Sequence, residues 1–165
     1  MNDNINIRFA ERKDTALILR FIKELAKYER LLHEVTADEA LLEESLFDMR
    51  AAEVIIAECD GKPAGYALFF HSFSTFLGKP GIYLEDLYVK PEYRGRGIGK
   101  KLLAFLARLT IERRCGRLEW WVLDWNRPAI EFYESLGARP MNEWTVYRLT
   151  GPSLEKLAEQ LQENS

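Results

Sequence analysis

Residues 84–100 read LEDLYVKPEYRGRGIGK, and the reading of this stretch decides the fold. An apolar extended run meets Pro91, and then Gly95, Gly97 and Gly99 alternate into a segment with helical periodicity. A strand that feeds a helix through glycines makes an anion site. Glycine lets backbone N–H groups approach a ligand without interference from Cβ atoms, and first-turn N–H groups have no partner inside the helix. Arg94, Arg96, Lys100 and Lys101 add positive charge at the same place, which suits a polyphosphate better than a lone carboxylate. A nucleotide or coenzyme is the expected ligand.

Spacing narrows the choice. A P-loop needs G-x-x-x-x-G-K-[ST], but Lys100 is followed by Lys101, so no hydroxyl is placed for Mg²⁺. The dinucleotide fingerprint G-x-G-x-x-G also fails, because the third residue after Gly99 is Leu102. What remains is Arg94-x-x-Gly97-x-Gly99 directly after a strand.

The 165 residues, 47% apolar and 30% charged, fit one globular domain with a continuous core. A net charge of −3 and a pI near 5.6 argue against general nucleic-acid binding and are compatible with a cationic substrate. The charged start MNDNINIRFAERKD lacks a signal-peptide core, and the apolar run 64–70 is too short to span a bilayer, so a cytoplasmic protein with no membrane partner is expected. Cys59, Cys115, His33 and His71 have no ligand-like spacing, and no metal is expected.

Along the chain, residues 6–10 suggest a strand. Asp14 is placed as N-cap of a helix with Leu17, Ile18, Phe21, Ile22, Leu25 and Ala26 facing inward. Thr36-Ala-Asp-Glu39 has capping-box spacing for a second helix reaching about Phe47. Asp60-Gly61 joins strands 53–59 and 62–71 in a hairpin, residues 72–80 form a loop, and 81–89 form a strand that Pro91 ends. A helix follows from about Gly97 to Arg114, then a strand at 117–123. A short helix opens at Asn126-Arg-Pro128 and stops at Gly137. Residues 144–149 are expected to close the sheet, and a final helix with Leu154, Leu157, Ala158 and Leu161 on one side to pack down. This is an α/β (α+β) chain with a mixed, mostly antiparallel central sheet flanked by helices.

That order, the 94–99 loop and Asn126-x-Pro-Ala-Ile-x-Phe-Tyr133-x-x-x-Gly137 together resemble the GCN5-related N-acetyltransferases over nearly the whole chain, 1–165. Residues 21–29, 83–86 and 93–99, with Asp124-Trp-Asn126, are most similar to the diamine acetyltransferases, the group of the spermidine/spermine and thialysine enzymes. The resemblance implies acetyl-CoA as cosubstrate. It puts the backbone of Leu87, Tyr88 and Val89 beside the pantetheine arm, and the pyrophosphate on Gly95, Arg96, Gly97, Ile98, Gly99 and Lys100 after Arg94. Asn126 then touches the cofactor, and Tyr133 is the acid that protonates the departing thiolate. Tyr28, Glu29, Glu85, Asp86, Glu119, Trp120 and Trp121 fall at positions that meet a small-molecule amine. A homodimer is implied as well.

Acyl transfer from a thioester to an amine needs a neutral amine and a proton for the leaving sulfur. A free amine of pKa about 10.4 is mostly protonated at neutral pH, so a carboxylate must draw its proton. Glu85 is placed for that, or for attracting the cation. Strict alternation sends Glu85 and Asp86 to opposite faces, so both line one pocket only if the strand bulges there. Tyr133 reads equally as a core aromatic among Ile130, Phe132 and Leu136. The expected reaction is acetyl transfer to a primary amine of a polyamine, diamine or lysine-like acceptor. The alternatives are a protein lysine or N-terminal acetyltransferase, and a silent coenzyme-A-binding module.

Overall fold

In the computed structural model, which describes residues 3–161, five strands form one sheet in chain order: β1 (Ile5–Phe9), β2 (Glu53–Cys59), β3 (Lys62–Ser74), β4 (Lys79–Val89) and β5 (Leu118–Trp120). The helices are α1 (Thr15–Tyr28), α2 (Glu39–Glu43), α3 (Ile98–Glu112), α4 (Arg127–Ser135) and α5 (Gly151–Ala158). β1 to β4 pair antiparallel, whereas β4 and β5 run parallel because α3 carries the chain back between them. The chain divides into two compact units, residues 1–123 with the whole sheet and residues 124–165 with α4 and α5.

The hairpin forms where Asp60-Gly61 predicts it. Both residues take positive φ, 51° and 79°, the turn whose twist matches that of the flanking strands. The next connection is tighter than the sequence suggests: β3 runs to Ser74 and β4 starts at Lys79, so most of the expected 72–80 loop is strand. Cross-strand pairs as far as Ser74 with Lys79 account for the extension.

One face of the sheet takes α1, with Ile18, Phe21 and Leu25 against Val54, Ile56, Tyr66 and Tyr88. Asp14 occupies the N-cap position of α1, but its carboxylate does not cap the helix. It accepts two hydrogen bonds from Arg8, at 2.8 and 3.0 Å, and one from the Glu11 N–H at 2.7 Å. The Arg8 guanidinium holds the Asp14 carboxyl below the usual range, against the opposing effect of burial. Nor is Thr36 the cap of the second helix. Asp38 takes that role, its side chain accepting from Leu41 N–H at 2.8 Å, and α2 relaxes after Glu43 into a wider π-turn over Glu44–Asp48.

Two expectations fail in the second unit. Residues 144–149 form no strand, and Trp144, Val146 and Tyr147 are 68%, 58% and 93% exposed. A strand exists only against a partner edge, and β5 pairs with β4 alone. The apolar stripe of α5 is not packed down either, since Leu154 and Leu157 are largely exposed.

Candidate active site

β4 changes character halfway along. Leu68 lies opposite Asp86 and Phe69 opposite Leu84, so Glu85 is an inserted residue, a bulge. The insertion turns the strand over. Leu84 shares a face with Phe69, whereas Asp86 shares the opposite face with Leu68 and lies diagonal to Tyr66, which sits across from Tyr88. The condition the sequence could state but not verify is therefore met: Glu85 and its neighbour no longer obey strict alternation.

The bulge also re-aims the main chain. Ile82 N–H points to the β5 side, donating to Arg117 O at 3.0 Å, yet Lys90 N–H donates to Ala64 O at 2.8 Å on the β3 side. Two even-numbered residues point the same way in a regular strand, and the single extra residue reverses them. Leu87 and Val89 therefore direct their N–H and C=O groups away from β3. Pairing with β5 stops at Leu84, opposite Trp120, so among the described residues this edge has no neighbouring strand. β3 closes its back tightly, because a Cβ on Gly65 would sit 2.4 Å from Tyr88 O. The Tyr88 side chain belongs to the core; burial, followed by Glu24, pushes its hydroxyl up to about 12.

Beyond Val89 the chain makes one 3₁₀ turn, Pro91–Tyr93, and enters the glycine segment. Gly95 and Gly97 both have φ of 79°, and a Cβ at either would meet nothing within 4 Å, so the backbone conformation and not crowding demands glycine there. Gly97 is the cap of α3, and Lys101 N–H is bonded back to Gly97 O at 3.0 Å. The N–H groups of Ile98, Gly99 and Lys100 precede that bond and have no acceptor within the helix. Gly99 itself lies inside α3 with ordinary room, its added Cβ 3.8 Å from Val89 Cγ2.

The basic residues divide their roles. Arg94 donates from Nε to Val89 O at 2.9 Å, and its guanidinium lies 5.2 Å from the Tyr28 ring centre and 5.8 Å from that of Tyr88. It ties the end of α1 to the end of β4. Arg96 stacks on Tyr93 at 5.4 Å and reaches Asp3 at 3.7 Å. Lys100 is exposed. Asp3, Cys59 and Asp60 bring possible metal-ligand atoms within 4.8 Å of one another, with Arg96 sharing the Asp3 carboxylate.

A cluster of acids collects where α1 ends against β4. Burial raises the Glu29 carboxyl, and the nearby charges of Asp86 and Glu85 raise it further. Burial also raises Asp86, opposed by a hydrogen bond from the Tyr66 hydroxyl to Asp86 Oδ2. The sequence does not single out Tyr66, because a β-branched and aromatic strand gives no sign that one hydroxyl turns toward a carboxylate. A second wall is aromatic. Tyr83 packs on Phe70 at 5.1 Å and edge-on to Trp121 at 5.6 Å, with its hydroxyl buried and lacking a protein partner. Burial, then the charges of Glu85 and Glu119, hold that hydroxyl above its ordinary range. Glu119 is paired with Arg117 at 2.9 Å, Trp120 is half-buried in β5, and Trp121 is 58% exposed just beyond it.

In the second unit, Asn126 is buried and caps α4, its Oδ1 accepting from Ala129 N–H at 3.4 Å, with Pro128 in the first turn. Gly137, at φ 91°, ends the helix as its position predicts, and Ala138 N–H bonds back to Tyr133 O at 3.2 Å. Tyr133 is half-buried on α4, its ring tilted against Phe132 at 5.7 Å.

An open strand edge leading to a glycine-cupped helix start, with acids beside the edge, is the layout of a group-transfer site. The chain belongs to the acetyltransferase (GNAT) family, whose model matches residues 19–138. It is an N-acetyltransferase, and enzymes of this family use acetyl-CoA as cosubstrate. The chain is 39% identical to the thialysine N-epsilon-acetyltransferase of Bos taurus over 168 residues, covering 93% of this chain and 97% of the relative. It is 32% identical to the L-ornithine N5-acetyltransferase of Arabidopsis thaliana, covering 92% and 86%. Among solved structures, an integron cassette protein from the mobile metagenome of V. cholerae superposes with a TM-score of 0.78 at 31% identity, covering 96% of this chain and 99% of that one. Among the described residues, no helix is long and apolar enough to cross a membrane.

Proposed function

We propose that the protein transfers the acetyl group of acetyl-CoA to a primary amine of a small cationic acceptor, lysine-like or diamine-like, by direct attack on the thioester. The observation that carries the reading is the bulge at Glu85, which sets an acidic cluster beside the open edge of β4. A cation near one carboxylate at about 4 Å gains roughly 4 kcal/mol at an intermediate dielectric before desolvation. Three carboxylates therefore favour an ammonium over a neutral amine. Thialysine and ornithine, the acceptors for which two relatives are named, carry side-chain amines of that kind.

The groups of this chain divide the work. Main-chain groups of Leu87 and Val89 line the pantetheine arm, and the N–H groups of Ile98, Gly99 and Lys100 face the pyrophosphate. Bound acetyl-CoA supplies the activated acyl carbon. Glu85 draws the proton from the ammonium, directly or through water, or attracts the cation, and Tyr133 returns a proton to the thiolate sulfur. Glu29, Asp86 and Tyr28 hold the amine end. Trp120, Trp121 and Glu119 flank it, and Asn126 meets the coenzyme. We propose that both units form one catalytic domain, since the family match runs across the division at residue 123. The exposed apolar residues of 144–149 and α5 support a homodimer, which light scattering tests.

Acetyl-CoA turnover measured with a panel of diamines, polyamines, lysine analogues and peptides decides the acceptor. Activity confined to peptides overturns the reading, and binding of acetyl-CoA without turnover of any amine reduces the protein to a coenzyme-binding module.

A further inference from the structure

We propose that Tyr66 is a positioning residue for acceptor recognition: its buried hydroxyl, its ring stacked in place by Phe21, holds the Asp86 carboxylate aimed at the amine end of the site. This rests on the reading of the acidic cluster as the acceptor site. Tyr66 is 0% exposed, and its ring stacks on Phe21 with centroids 5.4 Å apart and planes 16° from parallel. A tyrosine serving only as filler at such a position leaves a hydroxyl to be satisfied somewhere. Here it donates to Asp86 Oδ2 on the neighbouring strand, just past the bulge. Without the bulge, Asp86 would lie on the other face and the pair would not form.

The hydroxyl matters because Asp86 is in poor surroundings for a charge. It faces Tyr66 on β3, Glu29 at the end of α1, and Glu85 beside it on β4, none of them cationic. Burial favours its neutral form, and the Tyr66 hydrogen bond is what opposes that tendency. Removing the hydroxyl raises the Asp86 carboxyl further, so less carboxylate is present at a given pH below its titration, and raising the pH restores it. Arg94 stands on the neighbouring rings of Tyr28 and Tyr88, committed to Val89 O, and does not substitute for the hydroxyl.

Tyr66→Phe keeps the ring and its stacking. The expected result is a KM for a diamine raised about tenfold at the acid end of the activity range, with the ratio to the parent falling toward one as pH rises, and with acetyl-CoA affinity unchanged. Phe21→Leu, which loosens the same packing but leaves the hydroxyl, lowers the melting temperature and leaves the ratio flat across pH. Incorporation of 3-fluorotyrosine at Tyr66, a stronger donor of nearly the same size, moves the acid limb of the parent profile to lower pH, which keeps the test open if Tyr66→Phe folds poorly. A flat ratio for Tyr66→Phe, or no movement with fluorotyrosine, overturns the role of Tyr66. If Asp86→Asn also leaves the amine KM unaltered, the acceptor-site reading itself falls; if Asp86→Asn raises KM while Tyr66→Phe stays flat, only the positioning role is lost.

Discussion

The two halves of β4 have the same neighbour on one side and different fates on the other. From Ile82 to Leu84 the strand lies between β3 and β5, and Ile82 and Leu84 enter the core, 0% and 3% exposed. From Glu85 to Val89 it keeps β3 but has no β5, and it carries two carboxylates. One inserted residue separates a structural strand from a chemical one. The first half spends its backbone hydrogen bonds on the fold, whereas Leu87 and Val89 in the second turn theirs away from β3, where Val89 O accepts from Arg94 Nε.

The contrast breaks most sharply at Gly97, where the second half hands over to α3. Gly97→Val places a branched side chain at φ 79°. The loop must then rearrange at a cost of about 1–3 kcal/mol, and the cradle of N–H groups is disturbed with it. Acetyl-CoA affinity is expected to fall about a hundredfold by calorimetry, on a variant that retains its circular dichroism; unchanged affinity would mean that the loop holds no phosphate.

Glu85→Gln probes the bulge residue itself, removing charge at nearly constant shape. If Glu85 is the base, kcat/KM for a cationic amine falls about a hundredfold and the pH profile moves alkaline. If Glu85 only attracts the cation, KM rises, kcat is largely kept, and the loss shrinks in high salt. An unaltered profile with unaltered KM sinks both versions and shifts attention to Asp86 and Glu29.

Tyr133→Phe carries the comparison into the second unit. If its hydroxyl acts on the leaving sulfur, kcat should drop about tenfold or more with nearly unchanged acetyl-CoA affinity, the mark of an interaction made in the transition state. Full activity would make Tyr133 a packing residue.

The smallest effects are on stability, and they have opposite signs in the two halves. Gly81→Ala, in the structural half, brings a Cβ 2.8 Å from Ser72 Oγ and 3.1 Å from Arg117 O, and should cost about 1–3 kcal/mol without altering acetyl-CoA affinity. Asp86→Asn, in the chemical half, should stabilise slightly. Because burial raises the Asp86 carboxyl in the folded state, folding binds its proton more tightly than the unfolded chain does. The charged form therefore subtracts stability as pH rises above the unfolded carboxylate range, and the penalty disappears below it. Asn removes that penalty and still offers an oxygen to Tyr66. Thermal melts at about pH 5 and pH 8 check it: the gain should be larger at the higher pH.

What the sequence determined by itself lies in local chemistry. Asp60-Gly61 can hardly form anything but a tight hairpin, Gly97 opens a helix, Asn126 caps one and Gly137 ends it, because each depends on the φ preference or hydrogen-bonding reach of a residue toward its own neighbours. The helix α1 was legible for a related reason, its apolar spacing being a property of the segment alone. Where the outcome depended on a partner outside the element itself, the local reading failed: Asp14 left its cap for Arg8 on β1, and residues 144–149 form no strand. Only the tertiary structure brings the acidic residues together. The bulge at Glu85 exists only as a register between β3 and β4, and the meeting of Tyr66, Asp86 and Glu29 requires that register together with the end of α1. Register is a relation between segments, set by which faces two strands must bury against each other, and no single segment carries it.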